Sequence, residues 1–114
     1  GGPGAPATHV ENRVGDPAAT PYLSLATQIA SGLDGLARGL PIPPESASPY
    51  EAAAGPQLPR TLGEAIAEFR DSALYRSAFG EELVGYLVTL ASSAWNRYLA
   101  AVSDWEQREY FEQF

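Results

Sequence analysis

The sequence has no cysteine and no lysine, and only one histidine. Without cysteine there is no disulfide, no thiolate metal site and no thiol nucleophile. The single His9 has no evident nucleophile to serve, so no catalytic triad is present. All seven positive charges are arginines, against 14 acids, for a formal net charge of −7. The arginines are scattered, so the basic footprint of a nucleic-acid binder is missing. An acidic surface is also repelled by an anionic membrane face. Gly, Ser, Thr or Asp interrupts every apolar run well before the ~18 residues that span a bilayer. The opening Gly-Gly-Pro-Gly-Ala-Pro lacks the positive and apolar regions of a signal peptide, so a cytoplasmic location is the expectation. It also begins without Met, as an internal stretch of a longer chain would.

What is present can fold: 45% of the 114 residues are hydrophobic and 18% charged. Ten prolines and eleven glycines crowd towards the first 60 residues. That distribution predicts a mainly α chain with an irregular first half and at most one or two short N-terminal strands. Residues 1–114 read as one unit: loop and short strand over 1–19, helix over 20–40, Pro-rich linker over 41–59, and helices over 60–114. Residues 8–14 have the β-branched Val10 and Val14 and are bounded by Pro6 and by Gly15-Asp16-Pro17. As a strand they would place His9, Glu11 and Arg13 on one face.

Thr20 suits a helix N-cap and Pro21 the first helical position. Leu23, Ala26, Ala30, Leu33 and Ala37 recur at steps of three and four. Gly39 suits the residue after the helix, and Pro41 stops it. These signals predict a helix over Pro21–Arg38. Gly32 and Gly35 inside it each cost about 1 kcal/mol relative to Ala, a cost that close approach of a neighbouring backbone would explain. Pro41, Pro43, Pro44, Pro49, Pro56 and Pro59 mark an extended linker. Thr61 and Glu64 have the spacing of a capping box, which predicts a helix over Leu62–Asp71 with Leu62, Ala65, Ile66 and Phe69 on its apolar stripe. A short turn follows through Leu74, Tyr75 and Phe79, broken at Gly80. The longest predicted helix is Glu81–Val102, with Leu83, Leu87, Leu90, Ala94, Tyr98 and Val102 inward. Ser103 and Glu106 form a second capping box and open a last helix, Asp104–Phe111. Trp95, Tyr98, Trp105, Tyr110 and Phe111 fall on helical stripes and read as packing residues.

Few residues carry chemistry. The pairs Glu81-Glu82 and Glu106/Glu109 lie on solvated helix faces. What remains is His9-Val-Glu11-Asn-Arg13. A carboxylate is a hard oxygen ligand suited to Mg²⁺ or Mn²⁺. An arginine beside it can fork onto phosphate oxygens. The bland reading of the same residues is an edge strand with a surface Glu-Arg pair worth about 0–1 kcal/mol.

Several separated stretches, in order, carry a resemblance. Glu11-Asn-Arg13 is followed by Gly15-Asp-Pro-Ala-Ala-Thr-Pro-Tyr22 and Leu33-Asp-Gly35, then by Leu58-Pro-Arg-Thr-Leu-Gly-Glu64-Ala and Asp104-Trp-Glu-Gln-Arg-Glu-Tyr-Phe111. Together they resemble the C-terminal part of the catalytic domain of glutamine synthetases, from about Thr8 to Phe114. The resemblance implies a helical segment of a ligase that uses ATP and Mg²⁺ or Mn²⁺. In that reaction glutamate is phosphorylated and then joined to ammonia or an amine. It implies Glu11 as a metal ligand and Arg13 as the catalytic residue at the phosphate. His9 stands where the family commonly has a nucleotide-contacting Arg, and Thr20 where Asn is usual, which suggests a divergent, γ-glutamyl-amine ligase-like branch. The family's other metal ligands and ATP-binding loops are not among these residues. The chain alone is therefore expected to be inactive and to bind neither ATP nor metal tightly. Its expected partners are the remainder of the parent catalytic domain or a second copy, with no nucleic acid and no membrane. The competing reading is a non-catalytic helical interaction module, whose apolar stripes exceed what the helices can cover for one another.

Overall fold

A computed structural model describes residues 4–9, 11–12, 14–44, 57–111 and 113. Five helices occur among them: α1 (Pro21–Ala37), α2 (Leu62–Asp71), α3 (Ala73–Phe79), α4 (Glu81–Leu99) and α5 (Asp104–Tyr110). The chain is mainly helical, as its composition predicts, and the described residues contain no strand. In the stretch expected to be extended, 8–14, the described residues 8, 9, 11, 12 and 14 form no strand, and their backbone is tied locally. Thr8 N–H donates to the Ala5 carbonyl at 2.9 Å. Val14 N–H donates to Asn12 Oδ1 at 2.9 Å, and Ala18 N–H to Asp16 Oδ1 at 2.7 Å. Asn and Asp side chains here take up N–H groups that a strand would have offered to a neighbour, and no neighbouring strand is described. Most of the Pro-rich linker, 45–56, lies outside the described residues.

Local signals set the helix ends. Thr61 Oγ1 accepts from Glu64 N–H at 3.1 Å. The Glu64 carboxylate reaches one residue further back than a capping box requires, to Arg60 N–H at 2.6 Å. At α5 the box closes on both sides: Ser103 Oγ accepts from Glu106 N–H at 3.3 Å, and Ser103 N–H donates to the Glu106 carboxylate at 2.8 Å. Ser72, between α2 and α3, caps α3 through Tyr75 N–H at 3.3 Å. The segment read as a turn is thus a seven-residue helix. Thr20 holds the N-cap position of α1 but makes no side-chain cap bond there, and Pro21 follows it. The C-terminus of α1 ends in the expected glycine, with Gly39 at φ +59°. Gly39 N–H donates to Leu36 O at 3.1 Å and Leu40 N–H to Gly35 O at 3.0 Å, the paired bonds that close a helix over a left-handed residue. Space does not require the glycine at position 35. A methyl there would stand 3.9 Å from the Leu40 side chain, and no neighbouring backbone approaches Gly35 or Gly32 within 4 Å of where their Cβ would lie.

The core sits where α2 crosses α4. Val84 of α4 is the one completely buried side chain among the described residues. Ala65, Ile66 and Phe69 of α2 are half-buried, as are Leu87, Val88, Ala91 and Trp95 of α4. The inward side of α4 therefore runs through Val84, Leu87, Val88, Ala91, Ala94 and Trp95; of the predicted stripe Leu83, Leu87, Leu90, Ala94, Tyr98 and Val102, Leu87 and Ala94 share this side. Leu90 and Tyr98 face outwards, 51% and 68% exposed. Apolar residues occur on two faces of this helix, so periodicity alone does not choose between them. The small Gly63 decides it. The Trp95 ring lies so close that a Cβ on Gly63 would meet its Nε1 at 2.9 Å and its Cε2 at 3.0 Å. Trp95 in turn stacks on Tyr98, with centroids 5.3 Å apart.

Arg76 ties three helices at the other end. From α3 its Nε donates to the carbonyl of Arg70 in α2 at 2.6 Å, and its Nη1 pairs with the Glu81 carboxylate in the first turn of α4. Between α3 and α4, Gly80 turns the chain with φ +84°. Phe69, Tyr75 and Phe79 continue the aromatic packing, with centroids 5.4 and 5.9 Å apart. Helix α1 packs on α3, where Ser31 and Tyr75 share a hydroxyl–hydroxyl bond of 3.3 Å. No helix among the described residues is long and apolar enough to cross a membrane.

Two substitutions test this packing. Gly63→Ala should destabilise the α2–α4 unit by about 1–3 kcal/mol, the usual cost of overpacking a close contact. Chemical denaturation followed by helical circular dichroism would measure it. Ser103→Ala should cost α5 about 1 kcal/mol, read as faster amide exchange over residues 104–110 with α2 and α4 unchanged.

Candidate functional site

His9 and Glu11 both lie on the exposed N-terminal segment. The ring Nδ1 of His9 is 2.7 Å from the Ala7 carbonyl, a local contact that orients the imidazole against its own backbone. Arg13 lies outside the described residues. The single strand face expected to present His9, Glu11 and Arg13 together is not formed in the described part of this segment.

A divalent metal needs more than this segment offers. Mg²⁺ requires a near-octahedral shell of oxygens. No group of three or more His, Asp or Glu side chains able to hold an ion occurs among the described residues. One carboxylate does not make a metal centre, so these residues do not fit the ion by themselves.

The other acidic pairs have structural work. Glu81 holds Arg76, and Glu106 caps α5. At the end of α2, Arg70 forks onto Asp71 with bonds of 2.8 and 3.1 Å. That hydrogen bond holds the Asp71 carboxyl below its ordinary range and raises the Arg70 guanidinium. The pair is fully solvated, and its contribution is present at neutral pH and fades as acid protonates Asp71. An apolar cavity of about 380 Å³ opens between the start of α1 and helices α2 to α4. Leu23, Phe69, Phe79, Leu83 and Leu87 form its walls, and no titratable side chain lines it. It can take a hydrophobic group but cannot transfer a proton. Sequence reasoning missed the part played by Arg76. The signal was there, in an arginine five residues before the acidic first turn of a predicted helix.

Comparison with known proteins places the chain as a whole. Residues 3–110 match the family described as glutamine synthetase, catalytic domain. The chain is 42% identical over 120 residues to a gamma-glutamylanilide synthase from Acinetobacter sp, covering 95% of this chain and 24% of that protein. It is 36% identical over 115 residues to a glutamine synthetase from Staphylococcus aureus (strain MRSA252), covering 94% of this chain and 26% of that one. A glutamine synthetase from Staphylococcus epidermidis is 35% identical over the same share. The chain spans about a quarter of the length of these curated relatives. No solved structure matches it. With the match running through the N-terminal segment and all five helices, the chain belongs to the glutamine synthetase catalytic-domain family.

Proposed function

We propose that this chain is the C-terminal part of an ATP-dependent carboxylate–amine ligase, one that joins glutamate to ammonia or an amine as a γ-glutamyl amide. The observation that carries the reading is the 42% identity to a gamma-glutamylanilide synthase across 95% of the chain. His9 and Thr20, which depart from the usual family residues, agree with a branch that uses an amine. In the intact ligase, the glutamate carboxylate attacks the terminal phosphorus of ATP and releases ADP. The amine nitrogen then attacks the acyl phosphate carbon and expels phosphate. Arg13 contributes at the phosphoryl group, where a guanidinium can fork onto two oxygens. Glu11 supplies one of several oxygen ligands to Mg²⁺ or Mn²⁺, the others coming from elsewhere in the protein. His9 faces the nucleotide side.

The reading of the chain as a non-catalytic interaction module has one observation in its favour, the large apolar surface that α1 exposes. Activity of the intact protein separates the two.

The isolated chain is expected to show no saturable Mn²⁺ binding at micromolar concentrations by titration calorimetry. A tight, stoichiometric site would contradict the account of Glu11 as a partial ligand set. In the intact ligase, Glu11→Ala should weaken metal dependence and lower turnover. Arg13→Ala should slow turnover about a hundredfold or more, as for loss of one preorganised charge contact. Arg13→Lys keeps the charge without the fork and should recover only part of that rate. ATP-dependent phosphate release with glutamate and a panel of amines measures all three. Wild-type rates in both alanine variants would sink the assignment.

A further inference from the structure

Residues on the N-terminal segment can work at a site only if the segment joins the helices at a fixed angle. The described hydrogen bonds at Thr8, His9 and Val14 stay within the segment, reaching Ala5, Ala7 and Asn12. Those at residue 16 run the other way, towards α1. The Asp16 carbonyl accepts from Ala19 N–H at 3.0 Å, and Asp16 Oδ1 accepts from Ala18 N–H at 2.7 Å. The first bond closes a β-turn with Pro17 at its second position, where the fixed φ of the ring suits it. The second is an Asx turn, in which the side chain holds the amide two residues on. Together they make a fixed corner of Asp16-Pro17-Ala18-Ala19. Asp16 is exposed, so hydrogen bonds rather than burial hold the corner.

Beyond the corner the chain is seated on the helices. Ala19 and Thr20 form part of the wall of the apolar cavity that Phe69, Phe79, Leu83 and Leu87 complete. Thr20 does not fasten the start of α1, because its hydroxyl makes no cap bond there, the task such a residue ordinarily performs. The direction in which the chain enters α1 is left to the corner and to Pro21.

We propose that Asp16 is a positioning residue of the ligase site: through its side-chain bond to Ala18 N–H it sets the angle at which the N-terminal segment leaves the helices, and so where Glu11 and Arg13 stand. The inference rests on the reading of Glu11 and Arg13 as ligase residues. Arg13 is three residues before Asp16. Three residues of chain reach up to about 10 Å, so a change of about 10° at the corner moves the third by up to about 2 Å. A misplacement of about 1 Å is enough to cost an enzyme about a hundredfold in rate. The requirement is for an acceptor at Oδ1 and not for a charge. Asn carries the same oxygen at the same reach, whereas Glu keeps the charge and moves it one methylene away.

Variants of the intact protein test this by ATP-dependent phosphate release with glutamate and an amine, with thermal unfolding recorded for each. Asp16→Ala should lower kcat by about tenfold or more and leave the KM for the amine within about twofold, as for a misplaced group that acts in the transition state. Asp16→Asn keeps the acceptor and should stay within about twofold of the unaltered protein. Asp16→Glu should resemble Asp16→Ala. A role for the charge itself, at the start of α1 or at an ion, would be rescued by Glu and not by Asn, and that order would overturn the proposal. So would an unchanged kcat in Asp16→Ala and Asp16→Glu, or a loss in all three variants that follows the unfolding midpoint. Where Asp16→Ala does not fold, the Asn and Glu variants decide the matter alone. Arg13→Ala, measured alongside, separates the two levels of the argument. If it lowers turnover and Asp16→Ala does not, the positioning role falls and the ligase reading stands. If the unaltered protein forms no γ-glutamyl amide, both fall.

Discussion

Everything in this structure is hung from the crossing of α2 over α4. A glycine at position 63 lets the Trp95 ring lie directly against the α2 backbone. Three turns earlier on α4, Val84 is completely buried. The close approach at Gly63 also fixes which side of α4 faces in, and so which side of α3 is available to α1. Aromatic stacking from Trp95 to Tyr98 and from Phe69 through Tyr75 to Phe79 extends the contact in both directions. Arg76 then clamps the far end by joining the last carbonyls of α2 to the first turn of α4. One fully buried side chain among the described residues is a slender core, and burial of apolar area dominates folding. The shared arrangement of glycine, indole and guanidinium keeps these three helices in register where burial alone would be weak.

How much of this the sequence announces depends on how local the cause is. Thr61, Ser103 and Gly39 act within four or five residues, so the ends of α1, α2 and α5 are readable from spacing. Helix α3 was hidden because its cap, Ser72, directly abuts the end of α2 and the two elements blur into one turn. The inward face of α4 was read only in part, at Leu87 and Ala94, because Leu83-Leu90-Tyr98 and Val84-Ala91-Trp95 are both apolar lines. Only a residue on another helix, Gly63, separates them. A strand over 8–14 fits the β-branched valines, but a strand needs a ladder to pair with, and side-chain turns at Asn12 and Asp16 take over in its absence.

The candidate site shows the same division. Glu11 and Arg13 were singled out through the order of motifs along the chain, which is a property of ancestry. Their geometry was not legible, and the hydrogen bonds of the described residues beside them, at Thr8, His9 and Val14, are local ones. Catalytic groups work when neighbouring structure holds them to within a fraction of an ångström. Here the helices are well specified by their own residues, and the N-terminal segment that carries the proposed site residues is not.

The connection at Gly80 has a mechanical side. Helix α1 packs chiefly on α3, and Gly80, with φ +84°, turns the chain from α3 into α4. A helix of seventeen residues is about 25 Å long. Swinging α3 by ten degrees at that joint would move the far end of α1 by about 4 Å, on the geometry of a rigid rod of that length. The glycine thus sets the angle between α3 and α4, and the Arg76 bridge to Glu81 beside it braces that angle and with it the aim of the apolar face of α1.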